Sequence, residues 1–97
     1  MPDSSAGEAV RFVVSGRVQG VGFRWWCMRA GSALDVWGTI RNLADGSVEV
    51  IAAGQAEALA TLEQRLWKGP ALARVTAVRS SPAESTGSPD AGLRVVG

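Results

Sequence analysis

Apolar positions along this chain keep two periods, and each change of period marks an element boundary. In VRFVVSG, Val10, Phe12 and Val14 share one parity, the pattern of a half-buried strand. That strand runs straight into the glycine-rich stretch SGRVQGVG. From Phe23 the period lengthens: Phe23, Trp26, Cys27, Ala30 and Leu34 form a helical stripe, with Arg29 and Ser32 turned away. DVWGTIRNL returns to alternation, with Val36, Ile40 and Asn42 on one parity and Trp37, Thr39 and Arg41 on the other. Ala44-Asp45-Gly46 supplies hairpin turn chemistry, and SVEVIAA follows as a third strand with Val48 and Val50 inward. GQAEALATLEQRLWKG is rich in strong helix formers, buries Leu59, Leu62 and Leu66, and stops at Gly69-Pro70. LARVTAVRS reads as a fourth strand of less regular alternation, and SPAESTGSPDAG as a polar surface loop. LRVVG closes the pattern as a short strand, with Leu93 and Val95 expected inward.

The order β-α-β-β-α-β, with a small extra strand, gives two helices of one apolar stripe each. They can cover one face of an antiparallel sheet, which is the α+β, ferredoxin-like split βαβ sandwich. Ninety-seven residues suit a single domain, read as 9–97 behind a flexible tail at 1–8. No apolar run approaches the ~20 residues of a membrane span. MPDSSAGEA has neither the basic start nor the apolar stretch of a signal peptide. A lone cysteine, Cys27, excludes an intrachain disulfide framework, so a cytoplasmic location is expected, and a monomer is the default at this size. A net charge of +1 gives no global pull toward nucleic acid or membrane. The chain contains no histidine and no tyrosine, which closes imidazole acid–base catalysis and ordinary zinc sites.

The candidate chemistry sits where the first strand meets the first helix. Gly16, Gly20 and Gly22 let the backbone curl, and the first amides of a helix are unpaired and carry the positive end of its dipole. Such a concavity binds tetrahedral anions, and Arg24 in the first turn adds a planar fork of donors. The alternative is a purely structural turn. The stretch is neither a Walker loop, since no Lys-Ser/Thr follows, nor a dinucleotide fingerprint, since the third glycine is missing. Asn42 shares parity with Val36 and Ile40, which places its amide on the helix-covered face near the loop; the alternative is a turn-capping asparagine. Cys27 reads as a buried structural thiol, Asp45 as a turn residue, and Arg11, Arg41 and Arg74 as solvated charges. Trp25 points off the apolar stripe, and shielding the loop, packing at a contact and plain surface exposure all stay open for it.

GRVQGVGFR (Gly16–Arg24) closely resembles the first signature of the acylphosphatase family. GTIRNLADGSVEVIAAG (Gly38–Gly54) resembles the second, and GPALARV the later helix-to-strand junction. The resemblance spans about Arg11 to Val78, and the 18 positions from Arg24 to Asn42 agree with it. It implies hydrolysis of acyl phosphates to a carboxylate and inorganic phosphate, without metal or other cofactor. It further implies that the amides of Arg17, Val18, Gln19, Gly20, Val21 and Gly22, with the Arg24 guanidinium, hold the phosphoryl group, and that Asn42 positions the attacking water. One departure is visible: the family carries an aromatic residue after the glycine equated with Gly38, whereas this chain has Thr39 there and Trp37 before it. Trp37 shares the parity of Thr39 and could replace the packing. Two competing functions are an anion-binding module, as in the acylphosphatase-like domains fused to hydrogenase-maturation carbamoyltransferases, and RNA binding on a similar fold. The second lacks the basic charge and the aromatic strand motif that stacks bases.

Overall fold

The computed structural model describes residues 8–97. The expected tail, 1–8, therefore lies outside the described residues except for Glu8, which starts the first strand opposite Gly54. In chain order the elements are β1 (Glu8–Arg17), α1 (Phe23–Ser32), β2 (Trp37–Asn42), β3 (Val48–Gly54), α2 (Ala56–Lys68), β4 (Arg74–Pro82) and β5 (Leu93–Val95). A single 3₁₀ turn at Pro89–Ala91 interrupts the loop before β5, where Ser88 Oγ accepts from the Asp90 N–H. The five strands order as β4-β1-β3-β2-β5. The ferredoxin-like split βαβ arrangement expected from the pattern is the fold of this chain.

The core follows the alternation. Phe12 and Val14 of β1, Ile40 of β2 and Val48, Val50 and Ala52 of β3 are fully buried on one face. Phe23 and Cys27 of α1 and Leu59, Leu62 and Leu66 of α2 pack onto them. Each fully buried Val, Leu, Ile or Phe side chain among them stabilises the fold by roughly 1.5–3 kcal/mol over leaving it in water. Trp26 is half-buried, its ring tilted against Phe23 at 5.8 Å between centroids. Gly69 ends α2 with φ 66° and donates its N–H to the Arg65 carbonyl, as the Gly-Pro pair leads one to expect.

Two expectations are corrected. The sheet is mixed rather than antiparallel, because β5 lies parallel to β2. β4 runs antiparallel to β1, and the chain leaving it crosses the face away from the helices to the opposite edge. One reversal of direction on the way brings β5 in alongside β2 with the same sense. The crossing segment is tied down where Trp37 Nε1 donates to Ser85 Oγ (3.2 Å) and Thr39 pairs with Thr86 through their hydroxyls (3.1 Å). Trp37 and Thr39 thus share that outer face, as their parity implied. The second correction is Val95. Leu93 is buried, but Val95 is 41% exposed.

Candidate active site

The β1–α1 loop is pinned by two side chains and otherwise left open. Val18 drops into the core, 1% exposed. Gln19 reaches across to the β2–β3 turn, where its Nε2 donates to the Leu43 and Ser47 carbonyls, both at 2.9 Å. Asp45 shapes the same turn by accepting from both the N–H and the hydroxyl of Ser47. Those bonds hold the Asp45 carboxyl below its ordinary pKa. Between these anchors Gly20 and Gly22 adopt φ of 76° and 79°, left-handed values that cost L side chains free energy. Nothing lies within 4 Å of where their Cβ atoms would be, so backbone conformation, not crowding, demands glycine here. Val21 between them is half-buried. Arg17 belongs to the strand, paired with Arg74, so the loop proper is Val18–Gly22. Among the described residues, none accepts a hydrogen bond from a backbone N–H of Val18 to Gly22.

The helix that follows has an unusual start. Gly22 is its N-cap and offers no side-chain acceptor, and no acidic residue stands in the first turn. Instead that turn carries Arg24, a cation at the positive end of the dipole. The second helix is arranged the conventional way, with Glu57 in its first turn and Arg65 and Lys68 in its last. A cation against the dipole costs about 0.3–1 kcal/mol, and an anion seated between them reverses the sign of both interactions.

Arg24 and Asn42 meet on one atom. Arg24 Nη1 donates to the main-chain oxygen of Gly97 at 2.8 Å, and the Asn42 N–H donates to the same oxygen at 2.9 Å. The Asn42 side chain is half-buried, and its Oδ1 is a buried acceptor with no partner among the described residues. A wide groove runs along α1 from Gly20, Gly22 and Arg24; Asn42 does not line it, and is tied to Arg24 through the Gly97 oxygen that both bind. The elements therefore bring together uncapped amides, a guanidinium and an unpaired amide oxygen. That set can hold a tetrahedral anion and orient one hydrogen-bond donor beside it.

The Acylphosphatase family model matches residues 10–90. The chain belongs to the acylphosphatase family. An acylphosphatase of Nitrobacter hamburgensis is 51% identical over 72 residues, which cover 74% of this chain and 73% of the relative. One of Rhizobium etli is 45% identical over 86 residues, covering 89% and 92%. Among solved structures, an acylphosphatase from Coxiella burnetii superposes with a TM-score of 0.86 at 29% identity, over 99% of both chains. The Bacillus subtilis acylphosphatase gives 0.82 at 30% identity, over 91% of this chain and 97% of that one.

Several site features have no counterpart in the sequence reading. The Gln19 side chain anchors the loop, whereas only its backbone amide drew notice. Gly97 was not singled out, and neither was Glu49, whose carboxylate is 4% exposed beneath Arg11 and Arg41. Cys27 is buried, and desolvation pushes its thiol far above the ordinary range, which keeps it un-ionised and unreactive. Among the described residues no three His, Cys, Asp or Glu side chains cluster as metal ligands, and no helix is long and apolar enough to cross a membrane.

Proposed function

We propose that this acylphosphatase-family enzyme hydrolyses the carboxyl–phosphate bond of small acyl phosphates, with the Val18–Gly22 amides and Arg24 on the phosphoryl group and Asn42 on the attacking water. The observation that carries the reading is the reversed electrostatics at the start of α1: unpaired amides, no acid and a first-turn arginine. Phosphoryl transfer asks a protein mainly for positioning and for cover of the charge on the equatorial oxygens. Curled amides supply that cover as fixed dipoles, and the guanidinium fork matches two phosphate oxygens. The buried Asn42 Oδ1 accepts one O–H of the water and so aims its lone pair at phosphorus. Water oxygen bonds to phosphorus as the bond to the acyl oxygen breaks, and the carboxylate departs with that electron pair. Its conjugate acid has a pKa of roughly 4, so it leaves without a proton and no general acid is needed. The proton lost by the water passes to a phosphate oxygen. A chain without histidine is thus equipped for this leaving group and poorly equipped for the basic alkoxides of alkyl phosphates.

The test is phosphate release from acetyl phosphate and benzoyl phosphate with EDTA present. Turnover of both, with inorganic phosphate as a competitive inhibitor, is the expected result. Absence of hydrolysis, with phosphate still raising the melting temperature, would replace the enzyme with an anion-binding module.

A further inference from the structure

Val95 is an apolar residue on the helix-facing side of the sheet that no helix covers. In the parallel register it stands opposite Ile40, which is 0% exposed, and it lies two positions from Leu93, at 2%. α1 packs tightly on β5 at one point and leaves Val95 outside it, 41% exposed. At Gly31 the helix lies so close that a Cβ there would fall 2.4 Å from Leu93 Cδ1. Toward the start of α1 the space between helix and strand opens into the groove that ends at Gly20, Gly22 and Arg24. Trp25 and Met28 line it from the helix and Val95 from the strand. Trp25 is 66% exposed, so the bare apolar surface begins beside the anion-binding end. An apolar wall joined to a few convergent polar groups is the ordinary make-up of a small-molecule site.

We infer that this wall is the acyl subsite, and that it selects acyl phosphates with an aryl or branched aliphatic acyl group. The inference rests on the hydrolytic reading above. With the phosphoryl group on the loop and Arg24, the acyl carbon lies one oxygen away, and the groove that opens from that end offers it Trp25, Met28 and Val95. The charged residues further along, Arg29 and Arg94 against Asp35, Glu57 and Asp90, give no net positive field that would draw a second carboxylate. Burying an aryl group here removes apolar surface of both partners from water, a gain an acetyl group is too small to collect.

The experiment compares kcat/KM for benzoyl, acetyl and succinyl phosphate in the native chain and in Val95→Thr, Val95→Leu and the double variant Trp25→Ser/Val95→Thr. Val95→Thr keeps the side-chain shape and adds no charge, so its effect on the shared phosphate cancels in the ratio between substrates. The native chain is expected to favour benzoyl phosphate. Val95→Thr should lower the benzoyl-to-acetyl ratio roughly threefold to tenfold, chiefly through KM, and the double variant should lower it further. Val95→Leu should raise it. Leu72→Ser, at a residue 73% exposed and away from the groove, controls for general surface effects and should leave the ratio where it was. An unmoved ratio in both Thr variants, or a native preference for succinyl phosphate, overturns the subsite while hydrolysis itself stands. Failure of the native chain on all three substrates overturns the hydrolytic reading and this inference with it.

Discussion

Two arginine constellations occupy opposite faces of the β2–β3 hairpin, and they are finished differently. On the outer face Glu49 accepts from Arg11 Nε at 2.6 Å on one oxygen and from Arg41 Nε at 2.8 Å on the other. On the helix-facing side Arg24 has no Asp or Glu partner among the described residues, only the main-chain oxygen of Gly97 that it shares with the Asn42 N–H. The register makes the comparison close. Arg41 faces Glu49 across the hairpin, and the next pair along, Asn42 and Val48, points to the opposite face. Glu49 buries a carboxylate and satisfies both oxygens from within the protein, while Asn42 buries an amide oxygen and leaves it unpaired. Buried polar atoms are nearly always hydrogen-bonded in native proteins, so the second arrangement leaves an acceptor free for a donor that the described residues do not supply. The closed cluster serves the fold; on the proposed reading, the open one serves chemistry.

Arg24→Ala tests that division most severely. Removing the guanidinium should lower kcat/KM for benzoyl phosphate by roughly a thousandfold, the scale of losing a preorganised donor to transition-state charge. Arg24→Lys should recover little, because an ammonium cannot offer the planar fork. Stability should change little, since relief of the cation opposing the α1 dipole, about 0.3–1 kcal/mol, is offset by loss of the exposed bond to the Gly97 oxygen. A collapse of the urea midpoint would make Arg24 a structural residue like Arg11 and erase the contrast. Asn42→Ala comes next. Its side-chain oxygen bonds to nothing in the described chain, so the fold should tolerate the loss, while kcat falls on the order of a hundredfold as the water loses its orientation. Inhibition by inorganic phosphate should be nearly unchanged. Weakened phosphate inhibition with kcat intact would move Asn42 from the water to the anion.

The sequence carried the open cluster more legibly than the closed one. Glycines at 20 and 22 ahead of a helical stripe announce positive φ from composition alone, because few other residues adopt it, and Arg24 follows within one turn. The inward runs Val48–Val50 and Leu59–Leu62–Leu66 were equally plain, since period fixes face. Partnerships that depend on register were not readable. Arg11 and Glu49 lie 38 positions apart, and only the β1–β3 and β2–β3 ladders set both arginines over one carboxylate. The Gly97 oxygen that joins Arg24 to Asn42 is 73 positions from the arginine it binds. β5 was placed but not oriented, because a polar loop crossing the sheet has no period to read. Parity puts Val95 inside, but parity names only a face: α1 approaches β5 closely at Gly31 and Leu93, and Val95 lies beyond that contact, 41% exposed.

On the closed side, Glu49→Gln should separate stability from activity in the opposite sense to Asn42→Ala. Burial by itself pushes the Glu49 carboxyl up; hydrogen bonds from Arg41 and then Arg11, with their charges, outweigh it and hold the group below the ordinary carboxylate range. The glutamine keeps the shape but turns one acceptor into a donor facing a guanidinium. The cost should be about 1–3 kcal/mol, read from the urea midpoint, with the arginines' partial exposure favouring the lower end. Turnover of benzoyl phosphate should stay within about twofold, since Glu49 points away from the loop and a neutral isostere leaves the hairpin geometry in place. A kcat loss comparable to that of Asn42→Ala would show that the two faces are coupled.

The smallest effect is a pH dependence, and its sign is fixed. A carboxyl whose pKa is lowered in the folded state contributes stability that is present above its unfolded value, near 4.3 for glutamate, and is lost as pH falls through the folded value. The native urea midpoint should therefore decline below about pH 4.3. Asp45, also lowered, contributes in the same direction through Ser47, so the native curve alone does not isolate Glu49. The difference curve between the native chain and Glu49→Gln does, because Asp45 titrates in both. That difference should be largest near neutrality and shrink as pH drops through the acid range. A difference that stays flat down to the lowest pH at which the chain folds would mean that charge on Glu49 contributes nothing, and that the outer cluster is held by shape and hydrogen bonding alone.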